Sequence, residues 1–114
     1  MIFIKEKKPL NEMSRSILST PQDSLPFKVV IQSPEHDPPH AHLLEKNSKD
    51  KERGEFLIPD RPPKFSGDIQ NYQKGISDKD REVLFQWMNK KSSIFAKNTN
   101  WEMLTIFWGG AEKI

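Results

Sequence analysis

The chain is expected to fold as an α+β domain: a small antiparallel sheet of three or more strands, followed by two C-terminal helices packed on one face. Two observations lead there. Short apolar runs with a period of two fill the first half, and runs with a period near 3.6 fill the last third. The two kinds do not alternate, which disfavours βαβ units and a parallel sheet. With 114 residues, 34% of them hydrophobic, the chain supports one core. Three tryptophans and seven phenylalanines make that core aromatic-rich and argue against a wholly disordered chain. The expected layout is a partly ordered arm over residues 1–26, one α+β domain over 27–110 and a tail over 111–114.

Within the arm, Ile2, Phe3 and Ile4 suit an edge strand, and residues 11–18 suit a turn or two of helix with Met13, Ile17 and Leu18 on one side. Residues 27–32 are the best strand of the first half: Phe27, Val29 and Ile31 point one way, Lys28 and Gln32 the other. Pro34, Pro38 and Pro39 then require a turn or loop, because proline lacks the amide that a central strand needs. Residues 40–46 form a second strand, antiparallel to the first. Its alternation places His40, His42 and Leu44 on one face, and Ala41 and Leu43 on the other. Residues 47–52 are a polar, mixed-charge tip, expected to be a solvated hairpin loop. Residues 55–58 make a third strand ended by Pro59. The stretch 60–66 is a stiff connection, and 67–75 holds a short strand or turn around Ile69 and Tyr72.

Ser77 opens the clearest helix, with Asp80 in the capping-box position and Asp78 and Asp80 where the helix dipole favours negative charge. Val83, Leu84, Trp87 and Met88 form an apolar stripe that Ile94 and Phe95 extend. Lys90 and Lys91 suit a C-terminus there, although the pattern also allows passage through Ser92 and Ser93. After a break at residues 98–100, a second short helix carries Trp101, Leu104 and Trp108 and stops at Gly109 and Gly110. Trp101, Phe107 and Trp108 are expected in the core. Burying Trp87 should stabilise the fold by on the order of 2–3 kcal/mol.

Charge and composition narrow the function classes. Eighteen basic against sixteen acidic residues leave a net charge of +2, far from the dense basic face of a dedicated nucleic-acid binder. Lys5, Lys7 and Lys8 are diluted by Glu6 and Glu12, so nucleic acid is a weakly supported partner. No cysteine means no disulfide and no thiolate metal site. Residues 1–4 are too short for a secretion signal, and no run approaches the roughly 18 apolar residues of a membrane span. The expectation is a cytoplasmic protein with no membrane partner.

Chemistry concentrates in one stretch. All three histidines, His36, His40 and His42, fall within seven positions, and Pro38 and Pro39 stiffen the link between them. His40 and His42, two apart on a strand, point the same way with backbones roughly 6–7 Å apart. That spacing lets both imidazoles reach one ion at about 2.0–2.1 Å, and His36 would complete a three-histidine set with an open fourth position. Zinc or manganese are the candidate ions. Glu35, Asp37, or Glu55 from the neighbouring strand would serve as a fourth ligand, a ligand-binding group or a general base. A second reading takes His40-Ala41-His42 as the ion-holding pair of single-strand nucleases, with Tyr72 as nucleophile. A third makes the histidines purely structural, locking the corner between two strands.

His36-Asp37-Pro38-Pro39-His40-Ala41-His42-Leu43, preceded by the strand at 27–32, resembles a family of small bacterial proteins known as domain of unknown function four-one-six-zero. In that family a strand runs into a His-x-Pro-Pro-His-x-His signature, more strands follow, and a helical C-terminal part carries a tryptophan, a place that Asn100-Trp101 would fill. The resemblance covers roughly residues 27 to 108. The longer N-terminal arm and the lysine-rich stretch at 47–52 are departures from it. What the resemblance implies is a component of a toxin–antitoxin-like pair, with a small protein encoded nearby as partner. It also raises the prospect of a toxic activity centred on His36, His40 and His42. Apart from the resemblance, the residues themselves suit a metal- or histidine-dependent phosphodiesterase, with His40 or His42 as ligand or general base.

Overall fold

The computed structural model describes residues 14–33 and 38–109. The proposed strand at residues 2–4 and the residues Glu35, His36 and Asp37 lie outside that range. Four antiparallel strands form one sheet in the order β1-β2-β3-β4: β1 (Ser14–Ile17), β2 (Phe27–Ser33), β3 (His40–Glu45) and β4 (Glu52–Leu57). Two helices follow, α1 (Asp78–Met88) and α2 (Asn100–Gly109), completing the α+β arrangement.

The alternation read from the sequence sets the sheet's two faces. Val29 pairs with Leu43, and Ala41 with Phe56; together with Phe27 and Ile31 they form the core face. Leu84, Trp87 and Met88 of α1 and Leu104 of α2 belong to the same buried cluster. Each is under 3% exposed, so the helical stripe covers the sheet face expected of it. Lys28, Val30, His42, Leu44 and Glu55 are register neighbours on the opposite face.

Several elements differ from the sequence reading. Residues 14–17 are a strand, not part of a helix, because they supply the antiparallel partner for β2, from Ser14 opposite Ser33 to Ile17 opposite Val30. Leu18 and Leu25, which follow, are buried in the core. Helix α1 ends at Met88, and Ile94 and Phe95 are exposed instead of extending its stripe. The Ser92 hydroxyl accepts the amides of both Ile94 and Phe95, a local bond that replaces helical ones. Trp101, Phe107 and Trp108 are half-buried against the core cluster.

The β3–β4 hairpin is not a purely solvated tip. Lys28 donates to the Ser48 carbonyl, and Arg15 donates to the Lys49 carbonyl and to Asp50. Both basic residues belong to the non-core face by register, so the tip is tied back over it, and Val30 and Leu44 there are buried. Beyond β4, residues 70–74 run alongside as a further extended edge: Leu57 donates to the Gln70 carbonyl, Tyr72 to that of Glu55, and Glu55 to that of Lys74.

A bulge interrupts β4. Leu43 faces Gly54, but its neighbour Leu44 faces Glu52, leaving Arg53 as the extra residue. Arg53 turns toward the helices, where it bonds both carboxylate oxygens of Asp80 and lies 5.4 Å from the Phe27 ring centroid. Gly54 beside it is obligatory for packing: a Cβ there would stand 2.6 Å from the Gly75 carbonyl oxygen and 2.5 Å from Ile76 Cγ2.

Candidate functional site

The bulge brings a second carboxylate to the histidine face. In a regular strand Glu52 and Glu55, three apart, would point to opposite sides. With one residue inserted between them, Glu55 pairs with His42 and Glu52 pairs with Leu44, the next residue on that same face. His42 Nδ1 consequently lies 2.8 Å from Glu52 Oε2 and 3.4 Å from Glu55 Oε2. Ligand atoms of His42, Glu52 and Glu55 all fall within 4.8 Å of one another, close enough to hold one metal ion. Glu55 Oε1 is buried with no hydrogen-bond partner among the described residues.

His40 stands beside this group. Its ring centroid is 5.3 Å from that of His42, edge to face, and 4.2 Å from the Tyr72 ring, on which it stacks. Trp108, from the last turn of α2, approaches it at 5.3 Å. His40 Nδ1 lies 2.8 Å from the Pro38 carbonyl. A carbonyl oxygen only accepts, so Nδ1 carries the proton and Nε2 carries the lone pair of the neutral ring. That bond also pins the diproline corner to the start of β3, which gives His40 a structural task as well as a chemical position.

Both imidazoles are buried, at 5% and 4% exposure, so solvent reaches the group over Glu52, whose side chain is 27% exposed. Two carboxylates, two imidazoles and a phenol therefore share one wall, with the polar atoms of the first three side chains converging. Such a set can bind a hard or borderline divalent ion, and its imidazoles carry nitrogens suited to ligand or base roles.

Of the sequence candidates, the fold brings together His40, His42, Glu55 and Tyr72. Glu35, His36 and Asp37 lie outside the described residues. Tyr72 reaches His40 from an extended segment, where the tyrosine-nuclease reading needs it on a helix. Glu52 was hidden in a stretch that looks like a solvated tip, and Trp108 in a helical stripe that looks like core. Comparison with family models, with curated proteins and with solved structures finds no match for this chain.

Proposed function

We propose that this protein is a divalent-cation-dependent phosphodiesterase, the toxic member of a toxin–antitoxin-like pair acting in the cytoplasm. The observation that supports it is the His42–Glu52–Glu55 group, with a buried carboxylate oxygen lacking any partner among the described residues. Zinc or manganese, held by these three side chains, would supply positive charge at a phosphoryl oxygen. The chain's own residues do the rest. The Pro38 carbonyl holds His40 in the tautomer that presents Nε2 as base; Nε2 would accept a proton from a water as the water oxygen bonds to phosphorus, and the P–O bond to the departing nucleotide breaks with its oxygen protonated from solvent. Tyr72 stacks against the ring and fixes its plane. Held there, a cation would also offset the repulsion of the adjacent Glu52 and Glu55 carboxylates. No helix among the described residues is long and apolar enough to cross a membrane.

The test is cleavage of end-labelled single-stranded RNA and DNA by the full chain with manganese, zinc or magnesium. Cleavage is expected with at least one ion and is expected to vanish in His42→Ala and Glu55→Gln. Intact substrates under all three ions would overturn the proposal. A second reading, an interaction module with no activity of its own, draws on the exposure of Ile94, Phe95 and Ile106. It predicts co-purification with a small neighbour-encoded protein and an inert domain.

A further inference from the structure

A groove of about 630 Å³ runs along the end of β4 next to this site. Leu57 and Gln70 line it, and both connect it to the histidines. Leu57 pairs with His40 in the strand register, and its amide bonds to the Gln70 carbonyl, two residues before Tyr72. The groove's far side is a turn carrying Arg61, Lys64 and Phe65.

Phe65 is 61% exposed, the most exposed of the large hydrophobic residues among the described residues. It is nevertheless held in place. The Phe65 carbonyl accepts the Asp68 amide, and the Asp68 carboxylate accepts the Lys64 amide. A Cβ on Gly67 would stand 2.8 Å from the Phe65 ring, so the ring rests on bare backbone. Asn89 ties the Pro63 carbonyl to α1. A solvent-facing aromatic on so constrained a turn gains nothing for the core and loses little entropy when something stacks on it. Two cations flank it. Of the two acids that share the groove, Asp60 and Asp68, the latter has its carboxylate turned to the Lys64 amide.

We infer that this groove is the substrate-binding channel for single-stranded nucleic acid, with one base stacked on Phe65 and flanking phosphates on Arg61 and Lys64, leading the strand to the His40–His42 wall. The inference rests on the phosphodiesterase reading and names its substrate class. An aromatic face beside cations is the sequence-tolerant way of holding a single strand.

Binding of a fluorescent ten-nucleotide single-stranded RNA to the full chain, followed by anisotropy in EDTA, tests the groove apart from cation-dependent cleavage. Phe65→Ala is expected to weaken binding about tenfold. Arg61→Ala with Lys64→Ala is expected to lower the slope of log affinity against log salt by about 1.4. With manganese present, Phe65→Ala should raise KM for RNA cleavage and leave kcat unchanged. Because Phe65 is exposed, its variant should keep the wild-type melting temperature. Wild-type chain that binds no single strand, or Phe65→Ala that binds as tightly as wild type, overturns the inference, as does loss of a co-purifying protein in Phe65→Ala with RNA affinity unchanged. Phe65-dependent RNA binding without any cleavage would leave the groove standing and remove the phosphodiesterase instead.

Discussion

Glu55→Gln separates a cation site from a structural cluster, because the two predict opposite signs. The ligand oxygens of Glu52 and Glu55 lie within 4.8 Å of each other. At an effective dielectric constant near 20, two negative charges at that separation repel by about 3 kcal/mol. Solvent at Glu52, 27% exposed at its side chain, reduces this further. Glutamine keeps the shape and keeps an oxygen to accept from His42, while its amide adds donors where Glu55 Oε1 has no partner among the described residues. Without metal, the variant should therefore gain about 1 kcal/mol, or roughly 4 °C in melting temperature. With an ion at one hundred times its Kd, the wild-type chain should gain about 2.7 kcal/mol, close to 10 °C. The variant should lose most of that gain. Differential scanning fluorimetry in EDTA and across a manganese and zinc titration reads both quantities. A variant that melts lower than wild type in EDTA and still shifts fully with metal would refute the reasoning.

Three other perturbations address the framework. Gly54→Ala should cost about 1–3 kcal/mol in urea denaturation, because the new methyl meets the Gly75 carbonyl, which is backbone and cannot swing aside. It should also weaken metal binding, since it disturbs the bulge that turns Glu52 inward. Trp87→Ala should cost about 3–5 kcal/mol. Trp87→Phe should cost much less, because Trp87 Nε1 is buried without a hydrogen-bond partner among the described residues and the indole has no bond to lose. Glu102 closes the start of α2 by accepting the Thr99 amide at 2.8 Å, and that bond, aided by Asn98, holds its carboxyl below the ordinary glutamate range. A lowered value in the folded state means a stabilisation present above the unfolded value of about 4.3 and lost as pH falls through the folded one. Urea midpoints of wild type and Glu102→Gln should therefore differ above the unfolded value and converge as pH falls through the lowered folded one.

What local pattern encodes was legible. Alternation along residues 27–32 and 40–46 assigned each side chain to its face, so the shared direction of His40 and His42 followed from their spacing alone. The Ser77 cap marked the start of α1: the Ser77 hydroxyl accepts the Asp80 amide at 3.0 Å. Glu55 entered the site as a register guess, and the pairing with His42 brings it there.

The remainder depended on contacts between segments distant in the chain. Glu52 joins the site only because a bulge shifts the face of one residue, and the bulge is held by Arg53 reaching Asp80, 27 positions away. Tyr72 meets His40 because residues 70–74 bond along the free edge of β4, and residues 14–17 become a strand because β2 needs a partner. Periodicity determines which way a side chain points relative to its neighbours. Which strand stands opposite, and in what register, is set by hydrogen bonds and packing across the whole sheet, so the histidines were readable from the chain while the carboxylates and the ring around them were decided by the tertiary fold.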